Sequence, residues 1–301
     1  MTHTLPQLAI LGFGAAGSTL AESLQGRGPA SIRIWKRPPW TNEVQTQAKQ
    51  IGAVLCDTAQ AAIEPADLVF SLVPPEATVE VAGAAANWIG GKSYLDLNAA
   101  SLQAIEEAAA VVTSAGGYFT DGAIMGPLAR QRHRVSTIVS GPHAEEVATL
   151  LCGWDMQVRP IGTAVALAST VKMIRSVYTK GLEGIVLECM SAAHLAGATN
   201  EVLESLEEIL ELGPFLLPLR EMFDELVVEQ IDHAPRRAEE MEQVVKTLEQ
   251  LHLKPNMSQG TWTTLKEIAQ TAHLKETFDG QKDIAPAKVL AAIAQVAMHA
   301  N

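Results

Sequence analysis

LAILGFGAAGSTLAESL, residues 8–24, decides how the first half of this chain folds. Apolar residues lead into glycines at 12, 14 and 17, and a stretch of helical spacing follows. That order suits a strand, a tight turn and a helix. Gly12 permits the turn, Gly14 lets the backbone approach an anion, and Gly17 lets the helix pack against the strand. The helix N-terminus then faces the phosphates of a dinucleotide. A plain strand-to-helix turn with incidental glycines is the competing reading. The surrounding βαβ frame, whose second strand SIRIW (31–35) arrives at the right distance, favours the dinucleotide. Gly12, Phe13, Gly14, Ala15, Ala16 and Gly17 are therefore the candidate phosphate-binding residues.

Outward from this motif, LVFSLV (68–73), SYLDL (93–97), YFTDGAI (118–124) and STIVSG (136–141) read as further strands. Ala-rich segments of helical length, such as EATVEVAGAAANWI (76–89) and SLQAIEEAAAVVTSA (101–115), separate several of them. Strands alternating with crossover helices predict a largely parallel, doubly wound sheet. From Gly162 the texture changes. Within residues 163–197 one helix of roughly 30 residues is expected, and five shorter helical segments follow, 200–212, 213–231, 234–253, 258–276 and 285–301, punctuated by Gly, Pro and Asn. The expected class is α/β: residues 1–162 form a Rossmann-type cofactor domain and residues 163–301 an all-helical domain for substrate binding and dimerisation.

The 301 residues carry 22 basic and 34 acidic side chains, a formal charge of −12. The average field of such a chain repels nucleic acid and anionic membrane, so any anion site must be local. No apolar run reaches the ~20 residues needed to cross a bilayer, and MTHTLPQ lacks the features of a signal peptide. A cytoplasmic protein is expected. Three widely spaced cysteines and eight histidines without paired ligand spacing predict no metal site.

The end of the second strand distinguishes NAD from NADP. SIRIWKRPPW offers Lys36 and Arg37 and no carboxylate to bind a ribose 2′-hydroxyl. Two cations there suit a 2′-phosphate and predict NADP (NADPH) as cofactor. FSLVPP (70–75) ends a later strand in Val73, Pro74 and Pro75, leaving its carboxyl end open toward the cleft. LDLNAAS (95–101) ends the next with Asp96, Asn98 and Ser101 as polar candidates near the nicotinamide ribose, Asn98 also beside the substrate.

These motifs, with DGAIMGP (121–127), STIVSGP (136–142) and the Lys172-Met173 pair on the long helix, resemble the β-hydroxyacid dehydrogenase and phosphogluconate dehydrogenase superfamily over essentially the whole chain. The resemblance implies that Lys172 is the general acid/base and that residues one turn later touch substrate. A hydroxyl loses hydride from its carbon only as its oxygen loses a proton, and a lysine whose pKa burial has lowered can take and return that proton. The resemblance also implies a homodimer with interlocking helical domains, in which residues of late helices line a cleft; Arg236 and Arg237, at the start of a late helix, are further candidates there, and an exposed helix N-terminal turn is the competing reading.

Two departures from the superfamily pattern point to a distinct substrate. Arg175 and Ser176 stand where an Asn is usual, so Arg175 offers a fixed cation for a small anionic substrate. In the substrate loop, Met125 replaces a serine and Pro127 a glycine, while Gly126 keeps its amide donor. Helical spacing puts Lys172, Arg175 and Ser176 on one face, expected to be buried because the helix is rich in Ala, Val, Ile and Leu. The RQRHR run (130–134) is a further, lesser candidate for anion binding. The expected reaction is hydride transfer, at the domain interface, between NADP(H) and a small hydroxy acid or its keto or semialdehyde partner. Imine reduction is the alternative, although that group usually places Asp or Tyr at the lysine position. A non-catalytic NADP-binding regulator is the reading from another class.

Overall fold

The computed structural model describes residues 5–211, 213–270, 276–278, 281 and 283–299. The chain divides into two compact units, Met1–Ser176 and Val177–Asn301.

The first unit is built on eight strands: β1 (Gln7–Leu11), β2 (Ser31–Trp35), β3 (Val54–Cys56), β4 (Leu68–Ser71), β5 (Ser93–Asp96), β6 (Tyr118–Ile124), β7 (Thr137–Ser140) and β8 (Val158–Pro160). Their order is β3-β2-β1-β4-β5-β6-β7-β8. The first six follow the 3-2-1-4-5-6 arrangement of a dinucleotide-binding sheet, with its topological switch point between β1 and β4. All pairings are parallel except β6 with β7. Two strands were not anticipated. Both β3 and β8 are three residues long, too short for an alternating pattern to register.

The sheet is covered on both faces. Leu8 and Ile10 of β1 join one apolar core with Leu20, Leu24, Ile34 and Phe70, while Ala9 and Leu11 join another with Val69, Tyr94, Ile105 and Val112. Successive residues of one strand thus feed opposite cores, which is why β4 is apolar until its closing Ser71. Helix α1 (Ala15–Leu24) follows the glycine turn, and α2 (Asn42–Ile51), α3 (Ala59–Ile63), α4 (Thr78–Ala85), α5 (Leu102–Ser114), α6 (Leu128–Gln131) and α7 (Ala144–Cys152) complete the layers. The Ala-rich faces of α4 and α5 allow close approach to the sheet, and Ala82, Ala85 and Ala108 are completely buried.

Helix α8 (Leu167–Ala196) is 30 residues long, starts four residues inside the stretch 163–197 expected to be helical, and stops at Gly197, whose φ of 68° is left-handed. Its first turns belong to the first unit, so the compact units part at Ser176, beyond the change of texture at 162. The described residues of the second unit add α9 (Thr199–Leu210), α10 (Leu219–Val228), α11 (Gln230–Gln250), α12 (Asn256–Gln270) and α13 (Pro286–His299). The helix expected over 213–231 is broken at Pro218, and α11 begins at Gln230, with Pro235 inside it. Residues 271–275, within the helix expected over 258–276, and residues 300–301 lie outside the described residues. No described helix is long and apolar enough to cross a membrane.

Candidate active site

The three glycines do three different things. Gly12 has φ 104°, and a Cβ there would lie 2.1 Å from the Leu72 carbonyl oxygen. Its N–H donates to Trp35 O at 2.8 Å, locking the turn onto the end of β2. A Cβ on Gly17 would lie 2.1 Å from Gly12 O, so helix α1 sits directly on the turn. A Cβ on Gly14 would meet nothing within 4 Å. Gly14 is the N-cap of α1 and has no side chain to occupy the first N–H groups, which stay available to an anion.

This turn opens into a groove of about 630 Å³ lined on one side by Gly12–Ala16, at its lip by Trp35, Lys36 and Arg37, and on the far side by Val73, Pro74, Ala77 and Glu80. The lip is held by Trp40, whose Nε1 donates to Lys36 O at 2.7 Å. Open space over Gly14, bare helix N–H groups and two cations at the β2 end together fit a dinucleotide. Arg37 is ion-paired with Glu80 on α4, a partner 43 residues away that the sequence reading missed.

Asn98 is placed behind the groove rather than in it. Its Oδ1 accepts from Val73 N at 2.7 Å, and its Nδ2 donates to Ser71 Oγ at 2.9 Å and Asp96 Oδ2 at 3.0 Å. With both amide hydrogens committed and only 3% of its surface exposed, Asn98 fixes the Val73-Pro74 wall instead of reaching a ligand, contrary to the expectation for it. Asp96 is fully buried, and burial pushes its carboxyl up to about 7 against the hydrogen bonds from Asn98.

Strand register puts Trp35, Leu11, Ser71, Asp96, Asp121 and Ser140 in one row across the carboxyl end of the sheet. At the far end of this row sits the anchor of α8. Asp121 accepts from Ser169 N at 2.8 Å through Oδ2 and from Ser169 Oγ at 2.6 Å through Oδ1. Ser140 Oγ accepts from Ala168 N at 2.9 Å and donates to Asp121 Oδ2 at 3.3 Å. Two side chains from neighbouring strands thus cap the first turn of α8, three residues before Lys172, and the carboxylate complements the positive end of the helix.

Lys172 is half-buried, and burial holds its ammonium below the usual lysine range, helped by Arg175 and opposed by Asp121. Arg175 is exposed, which corrects the expectation of a buried position, and its Nη1 donates to Met125 O at 2.7 Å. That bond brings Arg175 against the loop carrying Gly126. Ser176 Oγ donates back to Lys172 O at 2.9 Å, so its proton is committed to the helix backbone. The RQRHR run serves the structure: Arg132 pairs with Glu22, and Arg134 with Asp155. Arg236 and Arg237 lie in the second turn of α11, not at a helix start, and pair with Glu240 and Glu229. The anchoring roles of Asp121 and Ser169, 48 residues apart, left no signal in the sequence beyond two polar residues beside apolar ones.

Sheet order, glycine turn and groove define a dinucleotide-binding scaffold. Residues 7–100 match a family described as NADP oxidoreductase, coenzyme F420-dependent, and residues 193–268 match a domain of unknown function, DUF1932. The chain is 30% identical over 271 residues to an uncharacterized 28.5 kDa protein in the 7S RNA 5′ region of Methanothermus fervidus, covering 88% of this chain and 99% of that one. A conserved protein of unknown function, reported to show structural similarity with 3-hydroxyacid dehydrogenases, is 28% identical with a TM-score of 0.59 over 87% of this chain and 98% of its own. The imine reductase from Myxococcus stipitatus in complex with NADP+ shares the fold, with a TM-score of 0.73 at 17% identity over 90% of this chain and 96% of its own. This chain belongs to the family of the Methanothermus protein, within the β-hydroxyacid dehydrogenase-like superfamily.

Proposed function

We propose that the protein is an NADP-dependent oxidoreductase that moves hydride between the nicotinamide and a small anionic hydroxy acid or its keto or semialdehyde partner, with Lys172 as general acid/base. Bound NADP would supply the hydride acceptor. The reading rests on the transverse row of strand ends. The glycine turn leaves the sheet at Leu11, and Asp121, which anchors the lysine helix, lies three strands away, about 14 Å at the usual strand spacing. A dinucleotide held at the switch point lies along this edge. Lys172 takes the hydroxyl proton as hydride leaves the carbinol carbon, and returns it in the reverse direction. Arg175, steadied by Met125 O, and the Gly126 amide orient the anionic end of the substrate.

A panel of hydroxy acids, keto acids and semialdehydes assayed with NADP(H) tests this function. Saturating turnover on a member supports it. The shared fold with imine reductases motivates adding cyclic imines to the panel, and turnover on imines alone would replace alcohol chemistry with C=N reduction. NADPH binding without turnover on any class would leave a cofactor-binding regulator.

At the cofactor lip, Arg37→Ala is expected to weaken NADPH binding about five- to twentyfold and leave NADH within about twofold, because only NADPH carries the phosphate that a charge-assisted fork would grip. Equilibrium fluorescence titration of both nucleotides checks it, and equal losses for the two would remove the 2′-phosphate assignment. The working form is a cytoplasmic homodimer in this reading. Support comes from apolar side chains left open on the second unit, among them Val177, Leu187 and Leu216, each at least 66% exposed. Light scattering of the eluting protein reads the mass directly, and a monomer would reject the dimer.

A further inference from the structure

The Arg37–Glu80 pair puts a carboxylate where the cofactor's distinguishing group would go. Arg37 stands just beyond β2, and Glu80 projects from the first turn of α4 on the opposite wall of the same groove. Both side chains are mostly exposed, and neither is needed to bury apolar surface. The other charged residues lining the groove are Lys36, beside Arg37, and Glu76, one turn before Glu80. Two cations on one wall therefore face two carboxylates on the other.

We propose that Glu80 is a specificity-determining residue of the cofactor site: it holds Arg37 in the free protein and competes with the 2′-phosphate of NADP(H), so that it narrows the preference over NAD(H). This rests on the NADP reading of the groove. A 2′-phosphate gripped by Arg37 must displace the Glu80 carboxylate and then lies beside two acidic residues. A nucleotide with a free 2′-hydroxyl makes no such demand, and the ion pair persists beneath it. Displacement is feasible because an exposed pair in water is weak and adaptable. The preference for NADPH is thus a balance between one phosphate and one carboxylate for a single guanidinium.

The test is equilibrium titration of NADPH and NADH against the full-length wild type, Glu80→Gln, Arg37→Ala and the double variant, at low and high salt. Glu80→Gln keeps the size, removes the charge and exchanges one acceptor oxygen for an NH2 donor, leaving a single neutral acceptor for Arg37. It is expected to bind NADPH about three- to tenfold more tightly at low ionic strength, to bind NADH within about twofold of wild type, and to lose most of the gain at 1 M salt. In the double variant the gain disappears, because Arg37 is the group released. If Arg37→Ala weakens NADPH while Glu80→Gln leaves it unchanged, or shifts both nucleotides alike, the role of Glu80 is overturned and the NADP site stands. If Arg37→Ala has no effect on NADPH, both fall. Both side chains are solvent-exposed, and matching thermal melts of all four proteins establish that they fold alike.

Discussion

Lys172→Met is expected to lower turnover by about 10²- to 10⁴-fold while leaving NADPH affinity and the thermal melt near wild type. Methionine keeps an unbranched apolar stem in the half-buried space and removes the amine. The helix does not rely on that amine for its position, since Asp121 and Ser140 hold its first turn through Ser169 and Ala168. The groove residues are likewise untouched. Lys172→Arg separates charge from proton transfer: it restores the cation but not a group able to lose a proton near neutrality, so activity stays low. The pH profile gives the sign. Reduction needs the ammonium form, so kcat/KM for reduction falls as pH rises through the Lys172 pKa. Oxidation needs the free amine, so its kcat/KM rises through the same value. Burial and Arg175 place that midpoint below the usual lysine value of about 10.4, while Asp121 limits the drop. Wild-type turnover in Lys172→Met, on a substrate from the panel, would end the acid/base assignment.

The parts of this architecture that could be read in the sequence are those written by neighbours in the chain. The glycine turn, the existence of β4 and β5 with their ends shortly before Pro74 and Asn98, and one long helix within residues 163–197 all follow from spacing within a few residues. Parts set by pairing across the sheet could not be read that way. Nothing local tells that Asp121 caps a helix starting 46 residues later, or that Glu80 meets Arg37. Asn98 illustrates the limit from the other side. Its place at a strand end pointed to ligand contact, yet the three groups that consume its hydrogen bonds come from two strands and the turn between them. The expectation of a buried Arg175 fails because apolar composition alone does not bury a helix face. Ile174 and Val177 flank it and are themselves well exposed, so the apolar character of this helix does not bury that face within the chain. The short strands β3 and β8 exist because they extend a sheet already formed, a tertiary cause that three residues cannot announce.

The second large effect separates two glycines two residues apart. Gly12→Ala would force a side chain onto a backbone with φ 104° and drive its Cβ to 2.1 Å from a carbonyl oxygen of the neighbouring strand end. Backbone cannot yield there without pulling β4 from β1, since Leu72 N donates to Leu11 O at 2.8 Å. The expected cost is about 4 kcal/mol or more, seen as a drop in melting temperature of about 10 °C or as insoluble protein. Gly14→Ala meets no neighbour within 4 Å and sits at φ −91°, ψ −162°, where alanine is unstrained. Its melt in the absence of nucleotide is expected to match wild type within about 2 °C, or to rise slightly as the unfolded chain loses freedom. The added methyl nevertheless occupies the space through which a pyrophosphate reaches the α1 N-terminus, so NADPH affinity falls about 10- to 100-fold. A stable fold that has lost its cofactor is the signature of a glycine kept for a ligand rather than for the turn. Unaltered NADPH binding in Gly14→Ala would mean that the space over Gly14 is not where the phosphates lie, and the groove would need another occupant.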